Sequence, residues 1–169
     1  MPTATYETIA QTTFNGSQSS TTFSGLSSSY QSYRMIFSGS NNTVAWLRFN
    51  GDTGGGSYGY RTLTGNGTTA FTSEFALSSY MEISAASTNT GNVFSNLLII
   101  DIFAPGSTSA SPPRWKNVLV RQSDKTNGAG YMSLRMGSWN ESDFPIESIT
   151  FGSNSSFNAN STIALYGLM

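Results

Sequence analysis

The sequence predicts an all-β protein: an antiparallel β-sandwich, jelly-roll-like, with very little helix. Three observations predict it. Apolar residues recur at every second position in almost every patterned stretch, which is the strand period. Turn residues interrupt these stretches every 8–12 residues or so, as in sandwiches and jelly rolls. No window of eleven residues shows apolar spacing at i, i+3, i+4 and i+7. The 169 residues fit a single domain over 1–169, because domains commonly run ~100–200 residues.

Taken in order, pieces near 5–13 and 21–25 are the weakest strand candidates, with an extended N-terminal arm over about 1–25 as the other reading. Tyr33, Met35 and Phe37 then alternate with Arg34, Ile36 and Ser38, a half-buried strand. Ala45, Leu47 and Phe49 alternate with Val44, Trp46 and Arg48. Asn50-Gly51 follows, a pair that supplies the positive φ angles of a type I′ turn. It is expected to link that strand to the next, over 57–63, where Tyr58 and Tyr60 alternate with Gly59 and Arg61. Further strands are read at 78–85, 93–104, 115–122, 130–137, 147–151 and 161–168. Asn127-Gly128 turns the chain between two of them. Pro105, Pro112 and Pro113 bracket a loop after the most apolar strand, where a missing N–H does no harm.

Composition narrows the function. Eighty of the 169 residues are Ser, Thr, Asn or Gly, while aromatics reach 13%. That aromatic content argues for a packed core rather than a disordered chain. There is no Cys, which removes thiol nucleophiles, disulfides and thiolate metal sites. There is no His, which removes the imidazole base and the Ser-His-Asp triad. Eight basic and nine acidic residues give no electrostatic footprint for nucleic acid. The longest apolar stretch, 97–104, is interrupted by Asp101 and is far shorter than the ~20 residues of a membrane helix. Residues 1–20 lack the basic and apolar regions of a signal peptide, so no export is expected.

Each chemical motif has a structural reading that fits better. Asp52-Thr53-Gly54 matches the aspartic-protease triplet, but it follows a turn rather than an apolar strand and occurs once. Asn50 to Gly56 offers one carboxylate, poor supply for a Ca²⁺ ion that takes six to eight oxygens. The glycine runs at 54–56 and 65–67 lack the following helix and lysine of a phosphate loop. Glu141 and Asp143 beside Trp139 are the nearest approach to a glycosidase pair, in a polar loop before Phe144-Pro145. No catalytic residue, metal or cofactor is assigned. Asp101 lies on the strand face of Leu97, Ile99 and Phe103 and must be paired if buried. Arg121 or Arg135 is its expected partner in a structural ion pair, within the sandwich or at a subunit interface.

Several stretches in order carry a resemblance. They are Arg48-Phe49-Asn50-Gly51-Asp52-Thr53-Gly54, Tyr58-Gly59-Tyr60 and Gly65-Asn66-Gly67. In the middle come Ile100-Asp101-Ile102 and Trp115-Lys116-Asn117-Val118. The end adds residues 145–151, Phe157 and 161–167, with Asn160 standing where a Gly is expected. From about residue 30 onward the chain resembles small virion structural proteins of tailed bacteriophages, including phages of cyanobacteria and marine bacteria. The resemblance implies a non-enzymatic component of the particle, assembled in the host cytoplasm, and supplies no catalytic residues.

The function expected is therefore capsid decoration or cement, by docking on a capsid lattice. The alternative is a tail or fibre module that grips host surface glycans. Tyr58, Tyr60, Trp115 and Trp139 are the expected anchors for either role. With only two lysines to guard strand edges, the chain is expected to meet other copies of itself, as a trimer on the lattice, besides the major capsid protein or tail proteins.

Overall fold

A computed structural model describes residues 6–40, 43–65, 67–84, 96–103, 115–126, 129–140 and 144–169. They form twelve strands: β1 (Glu7–Thr13), β2 (Ser20–Ser24), β3 (Ser32–Gly39), β4 (Ala45–Phe49), β5 (Tyr58–Gly65) and β6 (Ala70–Ser78), then β7 (Met81–Glu82), β8 (Asn96–Phe103), β9 (Lys116–Thr126), β10 (Ala129–Trp139), β11 (Ser148–Ser153) and β12 (Thr162–Leu168). There is no helix among them. All pairings are antiparallel, in two sheets.

The large sheet runs β1-β12-β3-β8-β9-β10-β5-β6 and the small one β2-β11-β4-β7. The first four strands of the large sheet and the four of the small sheet have the jelly-roll order. The first strand lies beside the last, the second beside the one before it, and the chain alternates between sheets as it rolls inward. Two hairpins, β5–β6 and β9–β10, are inserted into that roll and extend the large sheet past the small one, whose edge strand β7 packs against β5 and β10. This overhang is the feature that matters most for function.

Strict alternation builds the core. Tyr33, Met35 and Phe37 of β3 point inward and are fully buried, as do Ala45, Leu47 and Phe49 of β4. One end of the core is a phenylalanine cluster in which Phe14, Phe37, Phe151 and Phe157 lie with ring centroids 4.3–6.4 Å apart. The other end gathers Phe49, Tyr58 and Trp139, with the buried Lys116 ammonium 5.7 Å from the Trp139 ring. Each such side chain contributes about 1.5–3 kcal/mol by leaving water.

Four expectations are corrected. Residues 7–13 and 20–24 are strands of the two sheets, not an arm, because each pairs over its whole length with β12 or β11. Asn50 (φ 51°) and Gly51 (φ 67°) do form the type I′ turn, closed by the Asp52 amide donating to the Phe49 carbonyl. It does not close a hairpin, since β4 and β5 lie in different sheets. The Asn50 side chain instead anchors the crossover on the approach to β11. Its amide donates to the Pro145 carbonyl, and its oxygen accepts from the Glu147 and Ser148 amides. Finally, β6 occupies 70–78, where no strand was expected, and only the two-residue β7 falls in 78–85.

Candidate interaction surface

Of the four expected aromatic anchors, three are interior, which corrects their reading as surface contacts. Tyr58, Tyr60 and Trp139 are all buried, and only Trp115, just before β9, is exposed. Each buried ring is tied down by its polar end. The Tyr58 hydroxyl accepts from the Phe49 amide at 2.9 Å, and Tyr60 donates to Glu82 at 3.0 Å. The Trp139 indole donates to Asp52 Oδ2 at 2.8 Å, while Asp52 Oδ1 accepts from the Gly54 amide at 2.7 Å. Burial pushes the Asp52 carboxyl upward. The hydrogen bonds from Trp139, Gly54 and Ser57 together outweigh that and hold it below the usual carboxylate range. Asp52 is thus a clamp between the β4–β5 loop and the core. Glu141 and Asp143 lie outside the described residues.

The charged residues fall into two groups on opposite faces of the large sheet. Asp101 accepts from Arg34 Nε at 2.6 Å and from Arg121 Nη2. Arg135, the other expected partner, is one residue off in parity. Its register mate on β9 is Val120, so it points to the inner face, where Nη1 meets Glu82 at 2.9 Å. Glu82 reaches it from β7, the edge of the small sheet, and also accepts from Tyr60. Arg34, missed as a partner, was findable only by placing β3 beside β8, which no local pattern reveals.

The overhang has an unusual outer face. Residues paired across strands share a face, and the registers put Met132, Leu134 and Met136 of β10, Leu63 of β5, Leu119 of β9 and Leu97 and Ile99 of β8 on the same side. That side is turned away from the small sheet. Met132 is 73% exposed, Met136 64%, Leu63 50%, Leu97 44% and Leu134 41%. The inward residues between them are polar: Thr62, Thr64, Gln122, Ser133 and Arg135, all buried. Over Met132–Met136 of β10 and Leu63 of β5 the usual polarity is inverted, with apolar side chains outward, and Arg61 and Arg121 share that outer face. The five exposed residues present roughly 500 Å² of apolar surface, near the upper end of the largest patch on ordinary monomers.

The small sheet's outer face is different. Trp46 lies flat over Gly152, whose missing side chain makes room for the indole. The Arg48 guanidinium sits 4.6 Å from the Trp46 ring and donates to the Ser79 carbonyl, with Tyr80 beside it. Thr22 and Thr150 hydrogen-bond to each other nearby. Trp46 is half-buried on this surface because its parity is opposite to that of Ala45, Leu47 and Phe49.

No protein-family model, no curated protein and no solved structure matches this chain.

Proposed function

We propose that this chain is a non-enzymatic structural protein of a tailed-phage particle, a capsid decoration or cement subunit. The observation that carries the reading is the exposed apolar face of the overhang. Apolar patches of this size are often functional on monomers, and a chain that presents one is suited to docking. The jelly-roll order suits this role, since the fold recurs in capsid and lectin domains, although fold by itself assigns no function. The sequence resemblance supplies the particle. The lack of His and Cys, and the structural use of Asp52, leave little for an active site to be built from. A glycan-gripping tail module draws less support, because three of its four aromatic platforms are inside the core.

The test is to locate and count the chain in purified particles by electron microscopy and quantitative mass spectrometry. Hundreds of copies on the capsid are expected. A handful at the tail tip would favour the receptor-binding role, and absence from particles would refute the reading.

A further inference from the structure

We propose that a second copy of this chain covers the outer face of the overhang, sheet against sheet, about a two-fold axis. This rests on the reading of that face as a docking surface, and it names the occupant.

The first argument is area. A stable interface takes about 800 Å² from each partner. Homodimer interfaces are about 65% apolar, so each partner supplies roughly 500 Å² of apolar surface. Leu63, Met132, Leu134 and Met136, with the half-buried Leu119 beside Met136, supply most of that quantity on one face.

The second argument is self-complementarity. Stacked sheets sit about 10 Å apart with strands nearly aligned. An axis parallel to the strands, midway between β10 and β5, lays β10 of one copy over β5 of its partner. Leu134 then faces Leu63, its own register mate, in the other copy. Met132, the most exposed of the set, faces Gly65, beside which a side chain would meet nothing. The same axis lays β9 over β6. Arg121, 47% exposed on its Asp101, then faces Thr72 one pleat from Glu74, and Met136 and Leu119 lie over the exposed Arg61–Glu74 pair. An axis across the strands through the Leu134 row would instead set Arg121 against Arg121, a like-charge contact that costs stability. Flat faces stacked this way close with two copies. A three-fold ring would need two different patches that fit each other.

Sedimentation equilibrium of the full chain, from 0.5 to 50 µM, tests this. The expected result is a dimer. Met132→Lys and Met136→Lys, made together, should raise the dissociation constant a hundredfold or more. Both residues are mostly in water in the single chain, so circular dichroism and the melting temperature at low concentration should stay unchanged. Ser24→Lys, on the far sheet, should leave the dimer intact. If the double variant fails to fold, Met136→Lys alone gives the same reading with a smaller shift. A monomer at 50 µM, a dimer indifferent to these lysines, or a trimer would each overturn the proposal. A monomer that still enters particles would remove the second copy and leave the virion role standing. A dimer never found in particles would do the reverse.

Discussion

Replacing Asp101 with Ala separates a surface ion pair from an interior one. The Asp101 side chain is 10% exposed, and it accepts from two guanidinium groups that are 30% and 47% exposed. Breaking a fully buried pair costs about 3–5 kcal/mol, because it strands a charge without water. Exposed pairs are worth about 0–1 kcal/mol. Here the carboxylate is interior, but the two arginines it would abandon can rehydrate. Two charge-assisted hydrogen bonds, each worth about 1.5–3 kcal/mol before that rehydration, then reduce to a net loss of about 2 kcal/mol. For a chain of this size that lowers Tm by about 4–8 °C. Thermal and urea unfolding of the two proteins, at concentrations where subunits are separate, measure it. A loss below about 0.5 kcal/mol would mean the arginines hold nothing. A loss above about 4 kcal/mol would mean they cannot reach water, and the partial-exposure argument would be wrong.

Glu82→Ala should cost more than Asp101→Ala, about 3–5 kcal/mol, since Arg135 is only 5% exposed and would be left charged inside; Arg135→Met strands instead the 20% exposed Glu82 and should cost less, about 2 kcal/mol, in the same urea titration, and the opposite order would refute the distinction. Burial, with Tyr30 nearby, pushes the Tyr33 hydroxyl up to about 12, and burial with Glu82 raises Tyr60 as well. Their neutral forms therefore stabilise the fold fully below pH 10, and that stability is lost as pH rises from 10 through 12. Urea midpoints from pH 8 to 11.5 should be flat and then fall above 10; a midpoint unchanged at pH 11.5 contradicts this. Gly152→Ala should push the Trp46 indole off the small sheet at a cost of about 1–3 kcal/mol, with red-shifted tryptophan emission; unchanged emission and stability would show that the close approach is not needed.

Period-two patterning made most strands legible, because a strand with one buried face must alternate. It identifies which residues share a face but not which face turns inward, and the overhang is where that gap shows. Met132, Leu134 and Met136 alternate as cleanly as Tyr33, Met35 and Phe37, yet the first set points to solvent. The cause is tertiary: Gly137 and Trp139 of β10 pack on Met81 and Phe49 of the small sheet, but toward Ser133 the strand runs past it, and the inward Arg135 and Ser133 meet Glu82 and Gln122 instead of apolar side chains. Strand β6 escaped notice for a related reason. It is an edge strand whose phenylalanines, 71 and 75, are about half exposed, so no burial enforced a period. Tyr58 and Tyr60 did carry the inward signal, alternating with Gly59 and Arg61. Reading aromatic side chains as anchors set that signal aside. The Asp101 cluster was half legible: its need for a partner follows from its apolar neighbours, but the identity of Arg34 depends on long-range strand order.

Methionine oxidation tests the central claim, that another protein covers the face of the overhang, most directly. Brief peroxide treatment converts exposed methionines to sulfoxides and spares interior ones. In the dilute chain Met132 and Met136 should oxidise quickly, while the fully buried Met35 and Met81 resist. In intact particles Met132 and Met136 should become as resistant as Met35, read peptide by peptide by mass spectrometry. Equal oxidation of Met132 and Met136 in particles and in the free chain would contradict the account.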